Sequence, residues 1–191
     1  MKELVLYFDF LSPYSYLAYR HLTEHLLPQW ASRGIQIKLT LKPVSLPKLI
    51  NASGNTPPGS VPAKRAYLIK DLQRMAQFYQ VAPFKMPPIF PFDTRPLLYE
   101  LAELPEEKAP QFILNNWKRI FQDGDIDFIA PFESKYGGKE VVQANTAEAL
   151  KKGAFGVPFW IVIDGEEEEY YFGCDRFFLI ESSLNKTRSK L

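Results

Sequence analysis

Residues 8–18 read Phe8-Asp9-Phe10-Leu11-Ser12-Pro13-Tyr14-Ser15-Tyr16-Leu17-Ala18, or FDFLSPYSYLA. An apolar strand runs into a helix start: Ser12 suits an N-cap and Pro13 the first helical position, where its missing N–H costs nothing. Redox proteins with such a turn carry Cys-x-x-Cys there. This chain carries Ser-Pro-Tyr-Ser, so whatever chemistry the turn performs, it performs with a hydroxyl in the place of a thiol.

Upstream, Leu4, Leu6, Phe8 and Phe10 fall on one strand face and Val5 and Tyr7 on the other. Apolar residues on both faces predict a central, buried strand. Downstream, SYLAYRHLTEHLLPQW has helical spacing through Tyr16, Leu17, Leu22 and Leu26, and Pro28 is expected to disturb or end the helix. After Gly34, IQIKLTLK alternates cleanly, with Ile35, Ile37, Leu39 and Leu41 inward, which predicts a second strand with one wet face. Strand, helix and strand within about forty residues read as a right-handed βαβ unit.

The middle of the chain is helical between Pro-rich stretches. Residues 43–62 read as a long loop. AKRAYLIKDLQRMAQFYQ predicts a strong helix with Tyr67, Leu68, Leu72, Met75, Phe78 and Tyr79 as its apolar set. Helical patterns follow in RPLLYELAEL, QFILNNWKRIFQDG and NTAEALKKG, the last with Asn145 and Glu148 as a capping pair and Gly153 as a stop. Strands return in FWIVID, then Asp164-Gly165 as a hairpin signal, then YYF, with Glu166–Glu169 read as a solvated hairpin tip. Gly173 ends the strand, and Asp175 is expected to cap a last helix. The order is βαβ, a helical block, then ββα.

Bulk properties exclude several classes. The 191 residues carry a net charge of +1, which gives no electrostatic footprint for nucleic acid or an anionic membrane. No apolar run approaches a membrane span, and the N-terminus lacks a secretory signal. With one cysteine, Cys174, the chain cannot form an internal disulfide or cycle two thiols of its own. His21 and His25 have metal-ligand spacing, but no third ligand pattern accompanies them, so no metal is expected. The expected location is the cytoplasm. The alternative is the peroxisome, because Ser189-Lys190-Leu191 at a free C-terminus is a peroxisomal address in eukaryotes.

Two further segments could carry chemistry beside Ser12. GAFGVPFW sets Pro158 directly before a strand, where it costs a ladder hydrogen bond and fits a special backbone such as a cis peptide. That bend would leave the N–H and C=O of Val157 free to pair with an extended, peptide-like ligand. YFGCDR sets Asp175 beside Arg176, a carboxylate and a guanidinium that can hold the charged end of a small molecule.

Together, YFDFLSPYSYLA, GNTPPGSVPAKRAYLIKDLQRMA, NTAEALKKGAFGVPFW and YFGCDR resemble the 2-hydroxychromene-2-carboxylate isomerase family and its relatives, the kappa-class glutathione transferases. The resemblance spans about residues 3–182. It implies an α/β thioredoxin-like fold, with residues 1–62 and 146–191 as a discontinuous thioredoxin-like domain and 63–145 as an inserted helical domain. It implies glutathione as cofactor, a small-molecule substrate and a homodimer. In that family the serine matched by Ser12 faces the glutathione sulfur. The Val157-Pro158 match pairs with the tripeptide backbone, and the stretch matched by Phe172, Gly173, Cys174 and Asp175 holds its γ-glutamyl end. Asn55 matches an asparagine of the same surface, and Lys48 and Arg176 are the residues assigned to the acidic substrate.

There are departures: Cys174 stands where Asn, Gln or Ser is usual, GVPFW where GVPTF is commoner, and FPFDT at 90–94 where FPxNT is usual; the segment after Asp127 is shortened. These bear on substrate identity more than on glutathione binding. The expected activity is glutathione-dependent isomerisation of an unsaturated aromatic carboxylate through a thiolate stabilised by Ser12. The alternatives are a conjugating glutathione transferase, a glutathione-binding module without catalysis and, since the turn has no thiol, a disulfide oxidoreductase in last place.

Overall fold

The structure is a computed structural model and describes residues 1–81 and 83–186. The tripeptide Ser189-Lys190-Leu191 lies outside the described residues. β1 (Lys2–Phe8) leads through the Ser12 turn into α1 (Pro13–His21). The chain then widens into a single π turn over Leu22–Leu26 and continues as α2 (Leu27–Ser32). Pro28 does not end the helix. It lacks an N–H for the i−4 carbonyl and its ring crowds that carbonyl; the wider turn removes both conflicts.

β2 (Ile37–Pro43) follows, then α3 (Leu46–Ala52), a short 3₁₀ turn at Pro58–Ser60 and α4 (Pro62–Phe78). The stretch 43–62 is therefore not one long loop. α3 escapes a composition argument because it is short and begins Leu-Pro-Lys. Leu72 in α4 and Tyr79 just after it are buried as expected, but Tyr67 is 60% exposed and Phe78 76% exposed.

α5 (Arg95–Glu103), α6 (Ala109–Lys118) and α7 (Gly138–Lys151) complete the helical stretch. α7 starts seven residues before the expected cap, so Asn145 is mid-helix; its side chain donates to Pro43 O at 3.1 Å, and Glu148 pairs with Lys42 at 2.6 Å. Within the pair Gly137-Gly138 at the start of α7, Gly138 makes a close contact with α5. A Cβ on Gly138 would lie 2.3 Å from Tyr99 O, so only glycine lets α7 start against α5.

β3 (Phe159–Asp164) and β4 (Glu167–Phe172) form the late hairpin, and α8 (Phe177–Asn185) ends the described fold. Asp164 pairs with Glu167 across a two-residue turn, so Glu167–Glu169 belong to β4 and not to its tip. The sheet order is β2-β1-β3-β4, with β2 parallel to β1 and the other neighbours antiparallel. This is the thioredoxin-like arrangement, with an extra helical segment between β2 and β3.

The sheet has a core on each face. Leu4, Leu6 and Phe8 join the larger one, with α1, α4–α6 and α8; Val5, Tyr7, Phe159 and Ile161 join the smaller, with Val44, Leu49 and Ala149. Trp117 of α6 fastens the helical segment over the end of β1. Its ring lies 5.2 Å from Phe8 and 5.4 Å from Phe10, and its indole N–H donates to Phe10 O at 3.3 Å. Burial of so large a side chain is worth about 3–5 kcal/mol against alanine. That contact lands two residues before Ser12.

Candidate functional site

Ser12 is the N-cap of α1 and is 4% exposed. Its Oγ accepts the Ser15 N–H at 3.1 Å and donates to Val157 O at 3.2 Å. The turn is tied from below, because Ser12 N–H donates to Asp9 O at 3.0 Å. No acidic residue lies in the first turn of α1, so its positive end meets no charge of the helix's own.

The Val157–Pro158 peptide is cis. The sequence reading had both polar groups of Val157 free, and the structure corrects half of that: the carbonyl takes the Ser12 proton. The Val157 N–H meets no acceptor among the described residues. Asn55 comes to the same loop, where its Nδ2 donates to Phe155 O at 2.9 Å.

The loop 172–175 flanks Val157-Pro158. Gly173 N–H donates to Pro158 O at 3.0 Å, the Trp160 indole donates to Gly173 O at 3.0 Å, and Tyr79 OH donates to Cys174 O at 2.5 Å. Gly173 has φ +101°, the left-handed region that other residues avoid. The Phe172 ring lies 4.4 Å from that of Phe155, both half-exposed. Asp175 forms an ion pair with Arg176 and makes no cap; Arg176 is the N-cap residue of α8, without a side-chain cap bond.

Cys174 is buried, and its thiol is pushed up to about 12, first by burial and then by the charge of Asp175. It is a packing residue and a poor nucleophile at neutral pH. Lys48 is exposed and lines a groove between α3 and α7 with Asn51, Gln143 and Thr146; no contact brings it to Ser12. Ser12, Asn55, Val157, Pro158 and residues 172–175 thus form one continuous surface, from which Lys48 stands apart.

Three residues of this surface were not singled out from the sequence. Asp9 lies fully buried beneath the turn, its carboxyl raised by burial against the lowering effect of the donors on it. Thr94 donates to it at 2.7 Å. Tyr14, the third residue of the turn quartet, donates to Asp71 of α4 at 2.6 Å, so α4 is latched to the start of α1. An acidic residue inside an otherwise apolar strand end, FDF, was the available signal for Asp9.

His21 packs against Tyr79 beside the 172–175 loop. Its ring stacks on Tyr79 at 4.0 Å, and burial with the nearby His25 lowers it to about 4. Among the described residues, no group of three or more His, Cys, Asp or Glu side chains could hold a metal ion, and no helix is long and apolar enough to cross a membrane.

The model of the DSBA-like thioredoxin domain matches residues 3–128. Among curated proteins, the chain is 29% identical to glutathione S-transferase kappa 1 of Caenorhabditis elegans, covering 97% of this chain and 92% of that one. It is 28% identical to 2-hydroxychromene-2-carboxylate isomerase of Sphingobium xenophagum, covering 96% and 98%. Among solved structures, a 2-hydroxychromene-2-carboxylate isomerase superposes with a TM-score of 0.70 at 24% identity, covering 95% and 94%.

Proposed function

The chain belongs to the DSBA-like thioredoxin family, and from that premise we propose that it is a glutathione-dependent isomerase acting on 2-hydroxychromene-2-carboxylate or a similar unsaturated aromatic carboxylate. The observation that carries the proposal is the Ser12 hydroxyl at the amino end of α1, 3.2 Å from the carbonyl of Val157. The relatives' names supply the rest: both activities they state use this kind of chain at nearly full length.

The surface fits the tripeptide. The Val157 N–H is free to pair with a peptide carbonyl, as one added strand would. Asp175, exposed beside Arg176, suits an ammonium and a carboxylate at the γ-glutamyl end. Bound there, glutathione would supply a nucleophilic thiol for reversible addition to an electrophilic carbon, chemistry whose net outcome is isomerisation, and Ser12, Val157 and Asp175 would hold it.

Ser12 stabilises that anion and is not itself the nucleophile. Its oxygen stays committed to the Ser15 N–H, while its single proton can turn from Val157 O to sulfur. That turn exchanges a neutral hydrogen bond of about 0.5–1.5 kcal/mol for a charged one of about 1.5–3 kcal/mol. The helix terminus adds about 0.3–1 kcal/mol, up to about 2 kcal/mol when partly buried. The total lowers a thiol from about 8.5 by roughly one to two and a half units, enough for a thiolate at neutral pH without a dedicated base.

The second reading is a conjugating glutathione transferase, favoured by the kappa-class relative. The same site serves both; the difference is whether the adduct eliminates. Calorimetry with reduced glutathione tests the common premise, and no binding rejects both readings. Mass spectrometry of the product then separates them: an isomer keeps the substrate's mass, and a conjugate gains the tripeptide.

A further inference from the structure

We propose that Asp9 and Thr94 form a buried link through which the helical segment positions the Ser12 turn, making them positioning residues for the thiol-facing hydroxyl. The inference rests on the functional reading above.

Asp9 is 0% exposed and gathers three parts of the chain. Its Oδ1 accepts the Leu11 N–H at 3.0 Å and the Thr94 hydroxyl at 2.7 Å. Its Oδ2 accepts the Leu46 N–H at 2.8 Å, and its main-chain carbonyl accepts the Ser12 N–H. Leu46 opens α3 and Thr94 is the N-cap residue of α5, so the starts of α1, α3 and α5 converge on one carboxyl group.

Local chemistry did not require this. α3 has Ser45 as its N-cap residue and α5 has Thr94, both residues able to cap their own helices, yet neither makes a side-chain cap bond. Asp9 instead accepts the first N–H of α3, from Leu46, and the Thr94 hydroxyl, while the first N–H of α5, from Arg95, donates to Asp93 at 3.0 Å. A buried carboxyl is costly, and burial raises Asp9 as expected of such a group. Asp93, whose charge also acts to raise Asp9, is held in an exposed ion pair with Arg95. What the costly arrangement gains is a rigid path from the helical segment to the two residues that precede Ser12. A hydroxyl misplaced by a fraction of an ångström makes a weaker bond to sulfur.

The test compares Thr94→Val, which keeps the side-chain shape and removes the donor, with Thr94→Ser, which keeps the donor. The readout is the pKa of the thiol of bound reduced glutathione, followed by the ultraviolet absorbance of the thiolate. Thr94→Val is expected to raise that pKa by about half a unit or more and Thr94→Ser to restore it. Asp9→Asn, which puts a donor among donors, is expected to raise it at least as far. A wild-type titration in Thr94→Val or Asp9→Asn overturns the proposal, as does a Thr94→Ser variant that shifts as far as Thr94→Val. Failure of the wild-type chain to bind glutathione is a different result: it removes the functional reading, and this inference with it.

Discussion

Two places in this chain would treat a thiol in opposite ways. At the 172–175 loop the chain has a thiol of its own, Cys174, buried and pushed up to about 12 by desolvation and by Asp175. At the start of α1 there is no thiol, but there are a hydroxyl donor and a helix terminus with no acidic residue in its first turn. Reactivity follows the field around the sulfur more than the presence of the sulfur. The protein keeps a stabilising field where it has no thiol, and a thiol where it has no stabilising field. In the proposed function the productive sulfur therefore comes from a ligand.

The sharpest test puts both sulfurs in one molecule. In Ser12→Cys, the new thiol should be alkylated at neutral pH more than about a thousandfold faster than Cys174, since thiolate fraction follows pKa. Peptide-level mass spectrometry reads both sites together, and equal rates would remove the contrast.

Next in size, Ser12→Ala should lower turnover with glutathione at neutral pH by about ten- to a hundredfold, the value of a hydrogen bond to an anion. Part of the loss should return at high pH, where the thiol ionises unaided. Unchanged turnover at pH 7 would reject the role given to Ser12.

Asp175→Asn should weaken glutathione binding by about two- to fivefold, as expected for one exposed charge pair, with the bound thiol's acidity nearly unchanged. Calorimetry and thiol titration measure the two effects separately. A large shift in acidity would mean that the two regions are less independent than the contrast assumes.

The smallest effect concerns the support of the loop. His21, stacked on Tyr79, titrates near 4 when folded against about 6.5 when unfolded. A depressed histidine pKa means that the unfolded chain binds more protons in between. Its contribution is complete above about 6.5 and is lost as the pH falls toward 4. His21→Phe should flatten that part of the stability profile in chemical denaturation series; an unchanged slope would show that His21 is not its source.

Much of this is legible in the sequence. Alternation placed Leu4, Leu6 and Phe8 opposite Val5 and Tyr7, and the two cores divide along that line. Ser12-Pro13 marked a helix start because cap and first-turn preferences are local. What stayed hidden depends on distant partners. The first N–H of α3, that of Leu46, donates to Asp9, 37 residues away in sequence. The close contact of Gly138 depends on Tyr99 of α5. Tyr67 and Phe78 fit the helical stripe of α4, but the neighbours of that helix cover only part of the stripe.

By itself, then, the sequence determined the strand faces, the hydroxyl at the start of α1, and the lack of a second thiol, because these depend on residue identity and short-range geometry. Only the tertiary structure decided that Ser12 meets Val157, 145 residues away in sequence, that Asn55 reaches the same loop, and that Lys48 lies elsewhere. It also decided that Cys174 is buried and Asp9 central, since burial and long-range hydrogen bonds set the energy of a polar group, and neither is encoded in any short window of the chain.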